Sequence, residues 1–507
     1  MIRLINRMRN ILLFLLLLGF AGCGDFLEES SKDEVRPSTV DDLMQVMVGE
    51  GYPMGMLDYP YTDLLSDDVQ CNGAGTDETM VSRVEEIRSL FLWEDDMFEI
   101  LKADGYNSWK KCYNKIMGCN TILDYIDKVT GEQTAKDNLR GQAYVLRAYY
   151  YFLLVNYYAL PYNFGNPAEN LGVPLKLEMA VHDGFMARNS VAEVYEQIVK
   201  DLEKGIQLLE ENPVEMSLYK IHALAGKSIL CRVYLYMEDL DNTLKYANMV
   251  LEEKSTLTSL ASMPTDAMQY QGNSVWSIYN SSTSDEIIWM YGGSGMFSSL
   301  YPSAYSAMNP FTPSDELMDL YDFSATDANN HGDLRVYAYY YWNMYLNWSP
   351  FEYVAFPEYG YKGGRSLSYA AHGIRTAELY LNRAEVYVRK FMETGEGNFR
   401  TLALADLNKL RENRYDTRTT AYEEVDIKDA DELWQFYQEE RRRELSFEGH
   451  RWFDLRRYGM PELSHVYFVK TGEAETITTL REGDPRYVLP IPQVALDRNP
   501  YLEQNKR

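Results

Sequence analysis

From about residue 109 onward, apolar side chains recur every three or four residues in separate stretches, the period of a helix with one buried face. Tyr113, Ile116, Asn120, Leu123 and Ile126 form the first stripe. Its partner runs from Arg140 to Tyr158, with Ala143, Leu146, Tyr150, Leu153 and Tyr157 on one face, and stops before Pro161, which cannot donate to a continuing helix. A second pair starts at Ser190, where Ser190 and Glu193 have the S-x-x-E spacing of a capping box, each side chain satisfying a backbone amide of the first turn. Val191, Tyr195, Ile198, Leu202 and Leu209 follow as its buried stripe, and its partner runs from about Lys220 to Tyr236. In a third pair, Ile374, Ala377, Leu381, Ala384, Val388 and Phe391 are followed by Ala403, Leu407 and Leu410. Stacked pairs of this size predict a predominantly all-α fold, a tetratricopeptide-like scaffold over about 109–254 and 373–457. Trp109 spaces with Tyr113 and Ile116 and is assigned to the helix core.

Between the second and third pairs, about 255–372, the period is lost. Gly292, Gly293, Gly295, Pro302, Pro310 and Pro313 interrupt short β-prone runs such as Glu286 to Tyr291. This middle segment is expected to be mostly loops with a few short strands, the place where binding residues sit on a rigid scaffold. It carries a dense aromatic run: Tyr337, Tyr339, Tyr340, Tyr341, Trp342, Tyr345 and Trp348. Asp327 to Gly332 begins like a calcium-binding loop but has Ala338 where the bidentate Glu is needed, so it is read as a turn.

The first residues have another character. Arg3, Arg7 and Arg9 precede an apolar run from Ile11 to Leu18, which ends in Gly19, Phe20, Ala21, Gly22 and Cys23. The run is too short to span a bilayer and has the order of a secretory signal peptide. Residues 1–22 are read as that signal, 23–40 as a tether and 41–507 as one domain. Cysteine directly after Ala-Gly resembles the bacterial lipobox, with Phe20 in place of the usual Leu, and marks Cys23 as the lipid attachment site; ordinary cleavage near Ala21 is the competing reading. Asp25, Glu28 and Glu29 then resemble a tag for the outer face of the outer membrane, or serve as a solvated tether.

Composition narrows the function classes. The chain of 507 residues is 46% hydrophobic and 14% aromatic, with 42 tyrosines. Its formal net charge of -27 becomes -30 without residues 1–22, which hold three arginines and no acid. That balance argues against nucleic acid and against direct docking on anionic lipid. Cys71, Cys112, Cys119 and Cys231 are too few and too scattered for a disulfide framework or a metal site. Any two of the 76 acidic residues could be paired on paper for glycoside hydrolysis, which means nothing without their separation in space.

The run Glu440-Arg441-Arg442-Arg443-Glu444-Leu445-Ser446-Phe447-Glu448-Gly449-His450-Arg451-Trp452-Phe453-Asp454-Leu455-Arg456-Arg457 resembles the signature of the SusD/RagB family. Three stretches agree in order: Arg147 to Phe152, Arg375 to Glu385, and Leu489 to Gln493 with Asp497-Arg498-Asn499-Pro500. Physically these motifs read as scaffold, their arginines and glutamates pairing with one another and with helix ends while Trp452 and Phe453 fill gaps. A basic patch gripping an anionic sugar is the alternative. His450 reads as packed, having no nucleophile or acid at a recognisable spacing.

The resemblance implies a surface-exposed lipoprotein that binds glycan, without being an enzyme, and passes it to a SusC-like TonB-dependent transporter. Peptide or glycopeptide binding, as in the RagB branch, is the second reading. It also implies no cofactor, with calcium left open, and an aromatic-lined site in the loop before the first helix pair and in the middle segment. Sugar rings lay C–H faces on aromatic rings while their hydroxyls need polar partners. The ligand-binding candidates are therefore Trp93 with Asp67, Asp68 and Arg83 from the first loop, and Trp342, Tyr341 and Tyr301 from the middle segment.

Overall fold

In a computed structural model, the described residues are 36–53, 61–74, 78–97, 108–180, 184–263, 277–292, 309–324, 330–348, 351–360, 362, 372–470 and 472–507. Residues 39–507 form one compact unit. Cys23 and Tyr301 lie outside the described residues, as do the side chains of Arg83 and Tyr341.

The helices that organise the unit are α1 (Val40–Val46), α2 (Glu78–Phe91), α3 (Ser108–Tyr125), α4 (Gln133–Tyr158), α5 (Val191–Glu211), α6 (Ala223–Tyr236), α7 (Leu240–Glu253), α8 (Thr376–Thr394), α9 (Gly397–Glu412), α10 (Ala430–Leu445) and α11 (Arg451–Arg457). Consecutive helices pack in sequence, α3 on α4, α4 on α5, α5 on α6, α6 on α7, and then α7 on α8 and α8 on α9 across the middle segment. The fold is the expected helix-pair scaffold, with α7 as a further layer that the sequence pattern left unassigned. The Ser190 capping box is present: the Glu193 amide donates to Ser190 Oγ at 3.2 Å and the Ser190 amide donates to Glu193 Oε2 at 2.8 Å. Gly141 on α4 and Gly205 on α5 face each other. A Cβ on Gly205 would come within 2.8 Å of the Gly141 carbonyl, and one on Gly141 within 3.0 Å of the Gly205 carbonyl, so this close helix approach requires glycine on both sides.

The strands are β1 (Val69–Cys71), β2 (Ile287–Tyr291), β3 (Phe311–Pro313), β4 (Tyr340–Trp348), β5 (Phe351–Gly360), β6 (His372–Arg375), β7 (Leu463–Tyr467) and β8 (Thr476–Leu480). They pair antiparallel as β1 with β3, β2 with β6, β4 with β5 and β7 with β8. Two expectations are corrected here. The aromatic run is not a loop: most of it lies on β4 of the hairpin β4–β5, paired from Tyr340 opposite Gly360 to Trp348 opposite Phe351 with a register shift between Tyr341 and Trp342, because aromatic residues favour a pleated surface. Ile374 belongs to β6 and not to the helix stripe, since Arg375 caps the helix in extended conformation and α8 begins at Thr376.

The core between β2, β6, α8, α9 and α10 is held by charge as well as by apolar packing. Glu444 on α10 accepts hydrogen bonds from Arg375 (2.9 Å), from Arg414 (2.9 and 3.0 Å), from the Tyr339 hydroxyl (2.8 Å) and from Arg335 (3.3 Å). Arg335 also pairs with Asp333 and Glu440 at 2.7 Å, and Arg375 and Arg414 share Glu286. All these charged side chains are fully buried. Removing one partner of such a network leaves an uncompensated buried charge, which costs about 3–5 kcal/mol. Glu444→Ala should therefore lose about that much in chemical denaturation, whereas Glu439→Ala, on the outer side of the same helix, should lose under about 1 kcal/mol; equal effects would show that the network adds little.

Candidate functional site

Five of the six signature arginines are committed to carboxylates of the protein itself, and the sixth, Arg456, is buried and donates to the Ala159 carbonyl. Arg441 pairs with Asp454 (2.8 Å), Arg442 with Asp68 (2.8 Å), Arg443 with Glu440 (3.0 Å) and Arg451 with Asp67 (2.7 Å), while Arg457 grips Glu385 (2.6 Å). They form internal struts, so the run is scaffold and presents no basic patch. His450 is buried, and desolvation together with Arg232 and Arg441 holds its imidazole well below its ordinary value.

This wiring corrects three of the sequence candidates. Asp67 and Asp68 are not free to meet sugar hydroxyls. Asp67 is gripped by Arg451 and Arg442, which outweigh desolvation and hold its carboxyl well below the ordinary range. Asp68 is buried against Arg442, and desolvation raises its carboxyl.

Trp93 presents no stacking face, being 1% exposed. Its ring lies 4.1 Å from His465 and its indole N–H donates to the Leu65 carbonyl at 3.0 Å. The cause is local: the Glu94 amide bonds the Ser89 carbonyl (2.8 Å), the Trp93 amide bonds the Leu90 carbonyl (3.2 Å), and Trp93 has φ 54°. That is a Schellman cap ending α2, with tryptophan in the left-handed position usually held by glycine. Burial of the indole offsets the backbone strain.

The remaining candidates are placed in part. Trp342 is half-buried on β4, donating to the Val336 carbonyl at 2.8 Å and packing near Phe323 at 6.4 Å between centroids. Tyr341 is its neighbour on β4 and Arg83 lies on α2. Trp342 is not brought together with Trp93, Asp67 or Asp68 by any bond or ring contact described. Among the described residues no three His, Cys, Asp or Glu side chains form a metal-ligand group.

A groove of about 590 Å³ opens elsewhere, among α3, residues 174–176 and 184–186, and the C-terminal segment 494–502. Ligand pockets span about 300–1,000 Å³. Trp109 and Tyr113 from α3 line it together with Phe185, and Lys110, Lys176 and Arg498 also face it. Trp109 is 8% exposed and anchored edge-on to Tyr158, so its assignment to the helix core holds while its rim borders the groove. Phe185 stands 55% exposed, with Tyr501 edge-on at 5.7 Å. Sequence reasoning missed this groove, because its walls come from three distant stretches; Arg498, within the quoted Asp497 to Pro500 motif, was the one signal.

Acid should loosen the molecule. In the folded state the carboxyl of Glu448 is brought down to about 2 by Arg375 and Lys362 against the desolvation that raises it, and Glu444 lies lower still under Arg414 and Arg375. Depressed carboxylates contribute stability above their unfolded value of about 4.3 and lose it as pH falls toward the folded value. Neutral buried His450 acts in the same direction from about pH 6.5 downward. With about 0.5 M salt to screen surface repulsion, Tm should fall steadily from pH 7 to pH 3; a Tm that stays level or rises over that range contradicts the assignment.

The chain is similar to known proteins along both halves. Residues 25–235 match a family model described as starch-binding associating with outer membrane, and residues 320–507 match the model of the SusD family. A SusD-like protein P2 from Formosa agariphila is 24% identical over 538 aligned positions, covering 98% of each chain. Among solved structures, a SusD superfamily protein from Bacteroides thetaiotaomicron superposes with a TM-score of 0.65 at 22% identity, over 92% of this chain and 100% of that one. A SusD-like carbohydrate binding protein from Bacteroides vulgatus does so with 0.63 at 18% identity, over 92% and 97%.

Proposed function

Because the chain belongs to the SusD/RagB family, we propose that it is a surface lipoprotein that captures oligo- or polysaccharide and delivers it to a SusC-like TonB-dependent transporter. Proteins of this family are carbohydrate-binding proteins and not enzymes. The observation that carries the reading is the match of both halves, 25–235 and 320–507, to models of one binding family, on a helix-pair scaffold whose signature residues are spent on internal ion pairs. A scaffold so committed leaves recognition to surface segments. Trp342, Tyr341 and Tyr301 remain the aromatic candidates for a sugar face.

The anchor reading rests on the order of Arg3 to Cys23, with a diacylglycerol on the thiol and a further chain on the freed amine. Two or more chains are what stable anchoring takes. Outer-face exposure follows the acidic tether and the family description. Cys23→Ser should shift the protein from the membrane to the soluble fraction with its fold unchanged.

Titration calorimetry of the pure full-length chain against a panel of neutral and acidic polysaccharides should give saturable binding to at least one member, with no reducing ends released on prolonged incubation. Release of reducing ends, or absence of binding across the panel, overturns the proposal.

A further inference from the structure

The groove between α3 and the C-terminal segment has a local charge opposite to that of the whole chain. Three of its lining side chains are cationic, Lys110, Lys176 and Arg498, and no carboxylate lines it among the described residues. The chain as a whole carries -27. A local excess of cations on so acidic a protein marks where an anionic ligand is favoured.

A fourth cation strengthens that potential from behind. Arg188 spends its guanidinium on neutral oxygens, the carbonyls of Gly172 (2.6 Å), Glu503 (3.0 Å), Tyr158 (2.8 Å) and Leu171 (2.9 Å) and the Asn505 amide oxygen (2.8 Å). These bonds fix the group without neutralising it. The Glu503 carboxylate acts on it electrostatically without forming a salt bridge among the described residues. Desolvation draws Arg188 down to about 10, so it stays charged at neutral pH, and its field reaches the Tyr113 hydroxyl on the groove wall.

The apolar part of the groove is aromatic. Phe185 lines it exposed, with Tyr501 edge-on against it, Tyr113 is held by a 2.8 Å bond from its hydroxyl to the Pro174 carbonyl, and Trp109 also lines it. Flat rings beside forked or point cations suit a ring with C–H faces and anionic substituents. An extended peptide would instead use a sheet edge or a wholly apolar helix groove, and this groove, between α3, the short helix Gln493–Arg498 and irregular segments, offers no sheet edge among the described residues and carries cations beside its rings.

We propose that this groove binds an acidic saccharide, whose carboxylate or sulfate groups are held by Lys176 and Arg498 while a sugar face lies against Phe185. The inference rests on the glycan-binding reading and adds the ligand class and its place. Arg498 can fork onto a carboxylate from its exposed position. Lys176, whose ammonium already donates to the Ala180 carbonyl, supplies a second charge near the same wall.

The test is calorimetry of the full chain with oligogalacturonate, dextran sulfate, neutral dextran and poly-glutamate, repeated with the surface double variant Lys176→Gln/Arg498→Gln and with Phe185→Ala. Oligogalacturonate or dextran sulfate should bind. The double variant should weaken it by about tenfold or more, as expected for losing hydrogen bonds to charged groups, and salt at about 0.5 M should weaken it likewise. Phe185→Ala should weaken it without changing the salt dependence, and circular dichroism should show all variants folded. Acidic saccharide bound equally well by the double variant overturns the placement. Poly-glutamate binding in preference to both acidic saccharides overturns the ligand class in favour of an acidic peptide. Binding of a neutral glycan alone overturns this inference and leaves the glycan reading standing, whereas no saccharide binding of any kind removes both.

Discussion

Glu444 is the point on which the rest of the structure depends. Its carboxylate is shared by Arg335 from the middle segment, Arg375 at the end of β6 and Arg414 after α9, with the Tyr339 hydroxyl as a further donor. Stretches more than a hundred residues apart thus converge on one buried acid of α10. Buried charges are tolerated only when paired and hydrogen-bonded, so each partner requires the others. Glu286, Glu440 and Glu448 extend the same arrangement. The charged signature is thereby explained as a clamp between the helix layers and the middle segment, its charges spent inside the fold.

That clamp divides the molecule into a framework and the surfaces it positions. Arg442 and Arg451 continue it outward to Asp67 and Asp68, tying the segment before α3 to α10 and α11. Trp93 follows the same logic, capping α2 and stacking on His465. The part of the first loop that looked most like a binding site is structural. The groove beside α3 shows the opposite economy: cations line it, and among the described residues no carboxylate does.

Much of the framework was legible in the sequence. The helices read correctly because a buried stripe is a local signal, and the Ser190 cap because its two residues lie three apart. The hairpin β4–β5 was misread as a loop, since its aromatic run was weighed as ligand chemistry rather than as strand propensity. Trp93 was misplaced because a left-handed helix cap is announced by glycine, and here the backbone position is held by a tryptophan that pays for it with burial. The partners of Glu444 could not be read at all, as ion pairing over long separations leaves no periodic trace. The groove was missed for the same reason: Lys110, Lys176 and Arg498 are neighbours only in the folded chain.

The central claim is that the signature run is framework and recognition lies elsewhere. Hydrogen–deuterium exchange of the full chain, with and without a saturating bound saccharide, tests it most directly. The account predicts new protection in the segments that carry Tyr301, Tyr341 and Trp342 or those that form the groove, with the amides of Arg441 to Arg457 unchanged. Protection that instead appears along Arg441 to Arg457, and nowhere on those surfaces, would contradict it.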